Sequence, residues 1–269
     1  MILDIMKVFP IIITYNIDYQ QCNTYKTLLS HYPDCRKLIY DNSPTPLNAK
    51  YKSDKTFYIH DPENHGITMG YNRGVELAMQ FEEAKYVLLL DQDTIFEADY
   101  IEKLSATISK MPNINVIVPL MMYGQNKSFS PVRFNMFTVH GANLRPGTYN
   151  LKEFLPVNSG TCISIEIYKQ VGGYNEHIKL DFADFDFFER VSSISPQFCI
   201  IDSHAQQSFS DSETDLLKLF GRYKVYVHDA KYYQGGHIIG FHVLKHTLAL
   251  TIRTKKTCFL NYYLRNYIL

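Results

Sequence analysis

The stretch Tyr86-Val87-Leu88-Leu89-Leu90-Asp91-Gln92-Asp93 constrains this chain more than any other, because an apolar run without alternation stops abruptly at two carboxylates. Apolar side chains on both faces suit the middle of a sheet that is covered by helices. In open α/β sheets ligands bind just beyond the carboxyl ends of such strands, which is where Asp91 and Asp93 fall. Residues two apart on an extended tip point the same way, so both carboxylates can face one hard cation. An isolated Asp-x-Asp also serves as a plain turn or helix cap, so its meaning depends on what the rest of the chain supplies.

The rest alternates. Val8 to Thr14 reads as a first strand, ending in the polar turn Thr14-Tyr15-Asn16, with a helix-compatible segment from about Asp18 to Ser30. Lys37 to Tyr40 is a second strand closing on Asp41-Asn42-Ser43, and Thr56 to Ile59 a third, followed by His60 to Gly66. Strands alternating with helices imply right-handed crossovers and a mostly parallel sheet, which gathers these turns at one rim. Gly66, Gly70 and Gly74 then recur every four residues ahead of a helical pattern from Val75 to Glu83. That spacing is neither a dinucleotide fingerprint nor a nucleotide-triphosphate phosphate loop. It lets a helix start pack closely on a ligand or a strand.

Asp99 to Lys110 reads as a helix, Asn115 to Leu120 as a strand, Met121 to Leu155 as an insertion or β-rich flap, and Asn158 to Ile165 as a strand leading into the helix Glu166 to Val171. The second acidic cluster, Asp181 to Arg190, interleaves acids with phenylalanines as no purely solvated charge run would. On a helix Asp186 and Arg190 pair at i, i+4, and Asp184 lies on another side, open to a cleft. Asp181 or Asp184 also fits a helix N-cap. Phe198 to Ile201 is a further strand, capped by Asp202-Ser203-His204.

Composition bounds the function. With 269 residues and 46% hydrophobic content the chain fills one large core, and 27 basic residues balance 27 acidic ones, so no nucleic-acid partner is expected. Five scattered cysteines without a C-x-x-C pair argue against a disulfide framework and a zinc ribbon, and fit a reducing cytoplasm. No apolar run approaches the ~20 residues of a membrane span. In the tail Phe241, Leu244, Leu248 and Ile252 repeat at three and four, giving a helix with one apolar side and Lys245, His246, Arg253, Lys255 and Lys256 elsewhere on it. Such a helix docks on the domain, self-associates into a homo-oligomer, or lies on a membrane surface. The division expected is a catalytic domain over 1–233 and a helical tail over 234–269.

Taken in order, Thr14-Tyr15-Asn16, Asp41-Asn42-Ser43, Asn64-x-Gly66 with Gly70-x-Asn72-x-Gly74, Asp91-Gln92-Asp93, Asn158-Ser159-Gly160, Asp181-x-x-Asp184-x-Asp186 with Arg190, and His204 resemble the inverting family 2 glycosyltransferases of GT-A fold, nearest the rhamnosyltransferase-like members. The resemblance covers roughly Phe9 to Tyr233 and implies an α/β, Rossmann-like, mostly parallel sheet flanked by helices, followed by a C-terminal helical tail. It implies that Thr14, Asn16 and Asp41 surround the base of a nucleotide-sugar donor, that Asn64, Gly66 and Asn72 line its ribose and diphosphate, and that Asp91 touches the ribose. It further implies that Asp93 and His204 hold a divalent metal, Mn or Mg, that Ser159, Gly160 and Asp181 face the acceptor, and that Asp184 is the catalytic base. The acceptor implied is a glycan or lipid-linked glycan of surface polysaccharide synthesis, handled in the cytoplasm or peripherally at the inner face of the plasma membrane. A catalytically inactive nucleotide-sugar-binding partner subunit and a sugar nucleotidyltransferase are the alternatives. The latter wants a glycine- and lysine-rich loop after the first strand, and Thr14-Tyr15-Asn16 is not one.

Overall fold

Strands β1 (Val8–Thr14) and β4 (Tyr86–Leu90) run parallel, side by side and wholly buried, at the centre of a ten-stranded sheet. The structure, a computed structural model, describes residues 7–123, 127–134, 139–207, 215–235 and 237–268. Outward from β1 come β2 (Lys37–Asp41) and β3 (Thr56–His60), both parallel to it. On the other side of β4 lie β11 (Thr161–Ser164), β6 (Val116–Tyr123), β12 (Gln197–Gln206) and β10 (Gly147–Asn150). β11 and β10 run against their neighbours, whereas β12 is parallel to β6. The short β5 (Ile95–Phe96) pairs with β12 and β7 (Lys127–Ser130) with β6, while β8 (Val132–Phe134) and β9 (Val139–Gly141) form a separate ribbon.

The unalternating strands follow from burial on both faces. Phe9, Ile11, Ile13, Val87 and Leu89 point into one core, and Val8, Ile12, Tyr86, Leu88 and Leu90 into the other. With period two, Asp91 continues the row of Val87 and Leu89, so the first core's face is the one that receives the carboxylate.

The glycine-spaced segment is already helix. α2 (Ile67–Ala78) starts at Gly66, before the point the glycines suggest, and a Cβ on Gly70 would meet the Ile13 side chain at 2.5 Å and one on Gly74 the Ile11 side chain at 2.5 Å. The glycines therefore bring the helix down onto β1. Gly66 itself has φ 105, and a Cβ there would lie 2.2 Å from the Lys179 carbonyl oxygen, so only glycine seats this helix start against the helix-to-helix connection that holds Lys179.

The expected helix over Asp18 to Ser30 is broken. Only α1 (Asn23–Thr27) is α-helical, flanked by single 3₁₀ turns, because Asp18 and Cys22 each cap a fresh start. The α1 amides of Asn23 and Thr24 both donate to the Gln92 carbonyl, tying this segment to the acidic tip of β4. Beyond lie α3 (Tyr100–Lys110), α4 (Ile165–Gln170), α5 (Ala183–Ser192), α6 (Leu216–Tyr232), α7 (His237–Thr254) and α8 (Cys258–Tyr263). The sequence shows no clear period over α6, yet its Tyr223, Val227 and Ala230 are buried in the same core as β1.

The C-terminal helices dock, but not by the expected side. Ile239, Val243, Thr247 and Leu250 of α7 are buried, and the Tyr223 and Thr247 hydroxyls hydrogen-bond at 2.6 Å. Phe241, Leu244, Leu248 and Ile252, the repeat legible in the sequence, remain exposed. The helix carries two apolar stripes, and the polar-seeming one with Thr247 is the buried one. Among the described residues no helix is long and apolar enough to cross a membrane.

Candidate active site

Two acidic centres meet across one tyrosine. Asp91 leaves the end of β4 half-buried, and each of its carboxylate oxygens is claimed: Thr94 donates to Oδ1 and Ser159 to Oδ2, with the Gln207 amide donating to Oδ2 at 2.7 Å. The same Gln207 nitrogen donates to Asp93 Oδ1 at 3.1 Å. Burial, followed by the neighbouring Asp93 charge, raises the pKa of Asp91 above the ordinary carboxyl range. Asp93 is exposed. An amide nitrogen held between one oxygen of each carboxylate marks a point where positive charge is favoured. Tyr71 of α2 lies fully buried alongside, and Asp91, Asp184 and Asp93 all act on its phenol, which burial pushes well above its usual range.

Asp184 sits in the first turn of α5. Its entry is abrupt, since Phe182 adopts a left-handed φ of 64 at the N-cap position and offers no side-chain cap. Neither Asp181 nor Asp184 takes the alternative role of N-cap; Asp184 Oδ1 accepts from the Phe185 amide at 3.0 Å. Beneath it Tyr174 stacks on Phe187 with centroids 4.1 Å apart and meets Tyr71 at 5.5 Å, so an aromatic floor joins the two acidic centres. Burial among these rings pushes Asp184 up to about 7, with Asp181 adding a smaller push and the Phe185 amide opposing it. Asp186 and Arg190 form the expected pair, 2.9 Å apart, and Arg190 also binds the Val171 and Gly173 carbonyls.

What holds the turn before Asp184 is a residue that sequence reasoning missed. Asp229 of α6, with no exposed surface, accepts the amides of Lys179, Leu180 and Asp181 at 3.0, 2.8 and 2.9 Å. Two helix turns earlier, Arg222 grips both oxygens of Asp181. Three donors converging on one buried carboxylate pin the segment that delivers Asp184. The signal available in the sequence was only an acid inside a tyrosine-rich segment. Asp229→Ala strands those amides, each costing about 1–3 kcal/mol. The expected result is a melting temperature lower by at least ~4 °C together with reduced turnover, read by thermal unfolding and kinetics. A variant that melts with the parent protein would remove the assigned role.

At the rim formed by the ends of β1 and β2, Thr14 and Asp41 are fully buried. Asp41 accepts from the Ser43 amide at 3.0 Å, the Leu47 amide at 3.2 Å, Asn48 at 3.2 Å and the Tyr58 hydroxyl at 3.0 Å, and Asn48 also donates to Thr14. These two therefore shape the rim, while Asn16, with φ 53, Tyr15 and Asn64, with φ 51, are the groups on its surface. The Tyr15 amide donates to the Gln92 side chain at 2.7 Å, joining this rim to the acidic tip. Asn72 is placed elsewhere: its amide nitrogen donates to the Tyr174 carbonyl and to Glu176, and its oxygen accepts from Tyr168 and the Tyr174 amide. With every group so engaged it clamps α2 to the 168–176 segment.

Two further expectations change. His204 does not join Asp93: its ring nitrogen is 3.1 Å from Glu97, and its amide donates to the same carboxylate. Strand alternation explains this, since Gln207, an odd number of residues further on, is the β12-end residue that reaches the acidic pair. Ser159 is buried and donates to Asp91, and Gly160, with φ 73, lets its carbonyl accept from Tyr100, so the structure engages both within the fold around the tip of β4. Among the described residues no three His, Cys, Asp or Glu groups form a metal cluster. The oxygen donors present still fit a magnesium- or manganese-sized ion, with Asp91, Asp93 and, after its amide turns over, the Gln207 oxygen leaving positions for phosphate oxygens. A cavity of about 440 Å³ beside Tyr32, Arg36 and Phe81 lies at the amino end of β1 and contains none of these residues.

Comparison with known proteins gives the family and the fold type. A dTDP-rhamnosyl transferase, RfbF of Shigella flexneri, is 24% identical over 190 residues, covering 67% of this chain and 62% of that protein. The chain thus spans less than two thirds of that relative's length. Among solved structures, GalNAc-T7 with UDP, GalNAc and Mn2+ superposes with a TM-score of 0.56 at 12% identity, over 76% of this chain and 44% of the other. S. aureus TarS 1-349 superposes with a TM-score of 0.54 at 16% identity, over 84% of this chain and 64% of the other. The shared fold is the GT-A type, a mostly parallel sheet flanked by helices. Residues 11–168, more than half of the chain, match the model of glycosyl transferase family 2, and the chain belongs to that family.

Proposed function

We propose that this protein transfers a sugar from a nucleoside-diphosphate sugar to a hydroxyl of a glycan or lipid-linked glycan, with inversion, and that deoxythymidine-diphosphate rhamnose is the donor class to test first. The observation that carries the reading is the pair of acidic centres, one at the tip of β4 and one at the start of α5, whose charges both act on the buried Tyr71. The rhamnosyl donor is suggested by the Shigella relative.

The chemistry follows from the two environments. Asp184, held near neutrality by burial, accepts the proton of the acceptor hydroxyl as that oxygen attacks the anomeric carbon from the face opposite the leaving diphosphate. Asp91 and Asp93 are the residues that would hold magnesium or manganese, which when bound neutralises charge building on the departing nucleoside diphosphate. Thr94 and Ser159 orient Asp91, and the rim built on Asp41 offers Asn16 and Tyr15 to the base. Five free thiols suit the cytoplasm as the place of action. An inactive binding subunit is not favoured, because the chain keeps Asp93 and Asp184 together within a glycosyl transferase family 2 chain.

Thermal unfolding in the presence of UDP, dTDP and GDP sugars, each with and without manganese, tests the donor class. A single nucleotide family should raise the melting temperature, and only with the metal, since ligand stabilisation follows mass action. Equal stabilisation by all three, or none by any, would overturn the assignment.

A further inference from the structure

The outer face of α7 is unusual for a surface that sees only water. Leu244, Leu248 and Ile252 are 36%, 43% and 76% exposed, and Phe241 of the same stripe is 43% exposed. At ~100° per residue these four fall on one side of the helix, opposite Ile239, Val243 and Leu250, which are buried against the domain. The helix is thus fully seated by one face while it offers a second, continuous apolar face outward. Single exposed hydrophobic residues need no explanation, whereas a row of them marks an interaction surface.

Charge selects the partner. Residues 230–269 contain Lys231, Lys245, Arg253, Lys255, Lys256 and Arg265 and not one Asp or Glu, in a chain whose total charge is zero. The remainder of the chain therefore carries an equal negative excess. Lys255, with φ 54, ends α7 in a left-handed turn, and Lys255 and Lys256 are both exposed there, within four residues of Ile252. An apolar stripe bordered by cations, on a helix that does not itself span a membrane, complements an anionic lipid surface. A second copy of this chain would bring one basic face against another, and like charges brought together oppose association.

We propose that α7 lies in the plane of an anionic bilayer, with Leu244, Leu248 and Ile252 entering the headgroup boundary and the basic residues at its end contacting lipid phosphates. This gives a peripheral attachment in which α6, anchored on the other side through Asp229, carries the turn bearing Asp184. The acidic centres stay on the domain side of the helical layer, and α7 does no bond making.

The test is sedimentation of the full chain with vesicles, without nucleotide, so that it stands apart from the donor assignment. Mixed phosphatidylcholine–phosphatidylglycerol vesicles should bind the protein at least about tenfold more tightly than pure phosphatidylcholine vesicles, with binding falling as salt rises. Leu248→Ser combined with Ile252→Ser, and separately Lys255→Glu combined with Lys256→Glu, should each reduce binding about tenfold or more. All four positions are exposed, so unchanged melting curves are expected and separate lost binding from lost folding. Absence of binding to the anionic vesicles, or binding untouched by both double variants, overturns the proposal. A dimer in solution that Leu248→Ser with Ile252→Ser converts to a monomer also overturns it, assigning the face to a second copy instead.

Discussion

Asp184→Asn is expected to lower turnover by roughly 10²–10⁴-fold, the range for removing a general base. Nucleotide-sugar affinity should stay within about twofold, because an interaction made only in the transition state leaves ground-state binding alone. The variant keeps the shape of the side chain and removes its basicity. In the parent protein the rate should climb as pH rises through about 7, the value to which burial and the nearby Asp181 push this carboxyl. The stability of the fold runs the other way. The folded state holds the proton more tightly than the unfolded chain does, so between the ordinary carboxyl range and about 7 each step upward in pH removes stability. Above that window Asp184→Asn should therefore melt higher than the parent protein, because an amide has no charge to desolvate. Measuring turnover, donor affinity and melting temperature across pH for Asp184→Asn beside Asp181→Asn decides the matter. Near-normal turnover in Asp184→Asn would place the base elsewhere. The bidentate pairing of Asp181 with Arg222 predicts that Asp181→Asn acts mainly through the position of the turn.

Asp93→Ala should remove the manganese dependence of nucleoside-diphosphate binding and lower turnover by roughly 10²–10³-fold, the scale of losing one group that stabilises developing charge. Asp93 is the exposed member of the acidic pair, so the fold should tolerate its loss. Asp91 is different, being built into Thr94, Ser159 and Gln207, and its removal would disturb the tip of β4 itself. Calorimetry with nucleoside diphosphate, with and without manganese, separates the two roles. If Asp93→Ala retained the full manganese-dependent affinity, the carboxylate would not be the ion's holder.

Much of this was legible in the chain before any fold was in hand, for a definite reason. β1, β2, β3 and β4 start and stop within a residue or so of the positions read from hydrophobic runs and polar turns, most plainly β1 and β4, because a strand buried on both faces admits chiefly apolar side chains. The same rule put Asp91 and Asp93 at a strand tip, and the i, i+4 spacing put Asp186 on Arg190. Periodicity misled where a segment answers to two partners. Asp18 to Ser30 has helical composition, yet the Gln92 carbonyl and its own caps break it into short turns.

What the sequence alone determined is the set of local facts: which residues can lie in a parallel sheet, where strands end in acids, and which side chains have the chemistry for a cation and a base. Tertiary structure alone decided which of them face each other. It set Gln207 and not His204 against the acidic pair, turned Asn72 into a clamp between α2 and the 168–176 segment, and gave Asp229 three backbone amides from a segment 48 to 50 residues away. It also chose between the two apolar stripes of α7, burying one and exposing the other. Local propensity depends on a residue and its near neighbours in the chain, whereas desolvation and hydrogen-bond satisfaction depend on whatever the fold brings within a few ångströms. No spacing in the chain encodes that.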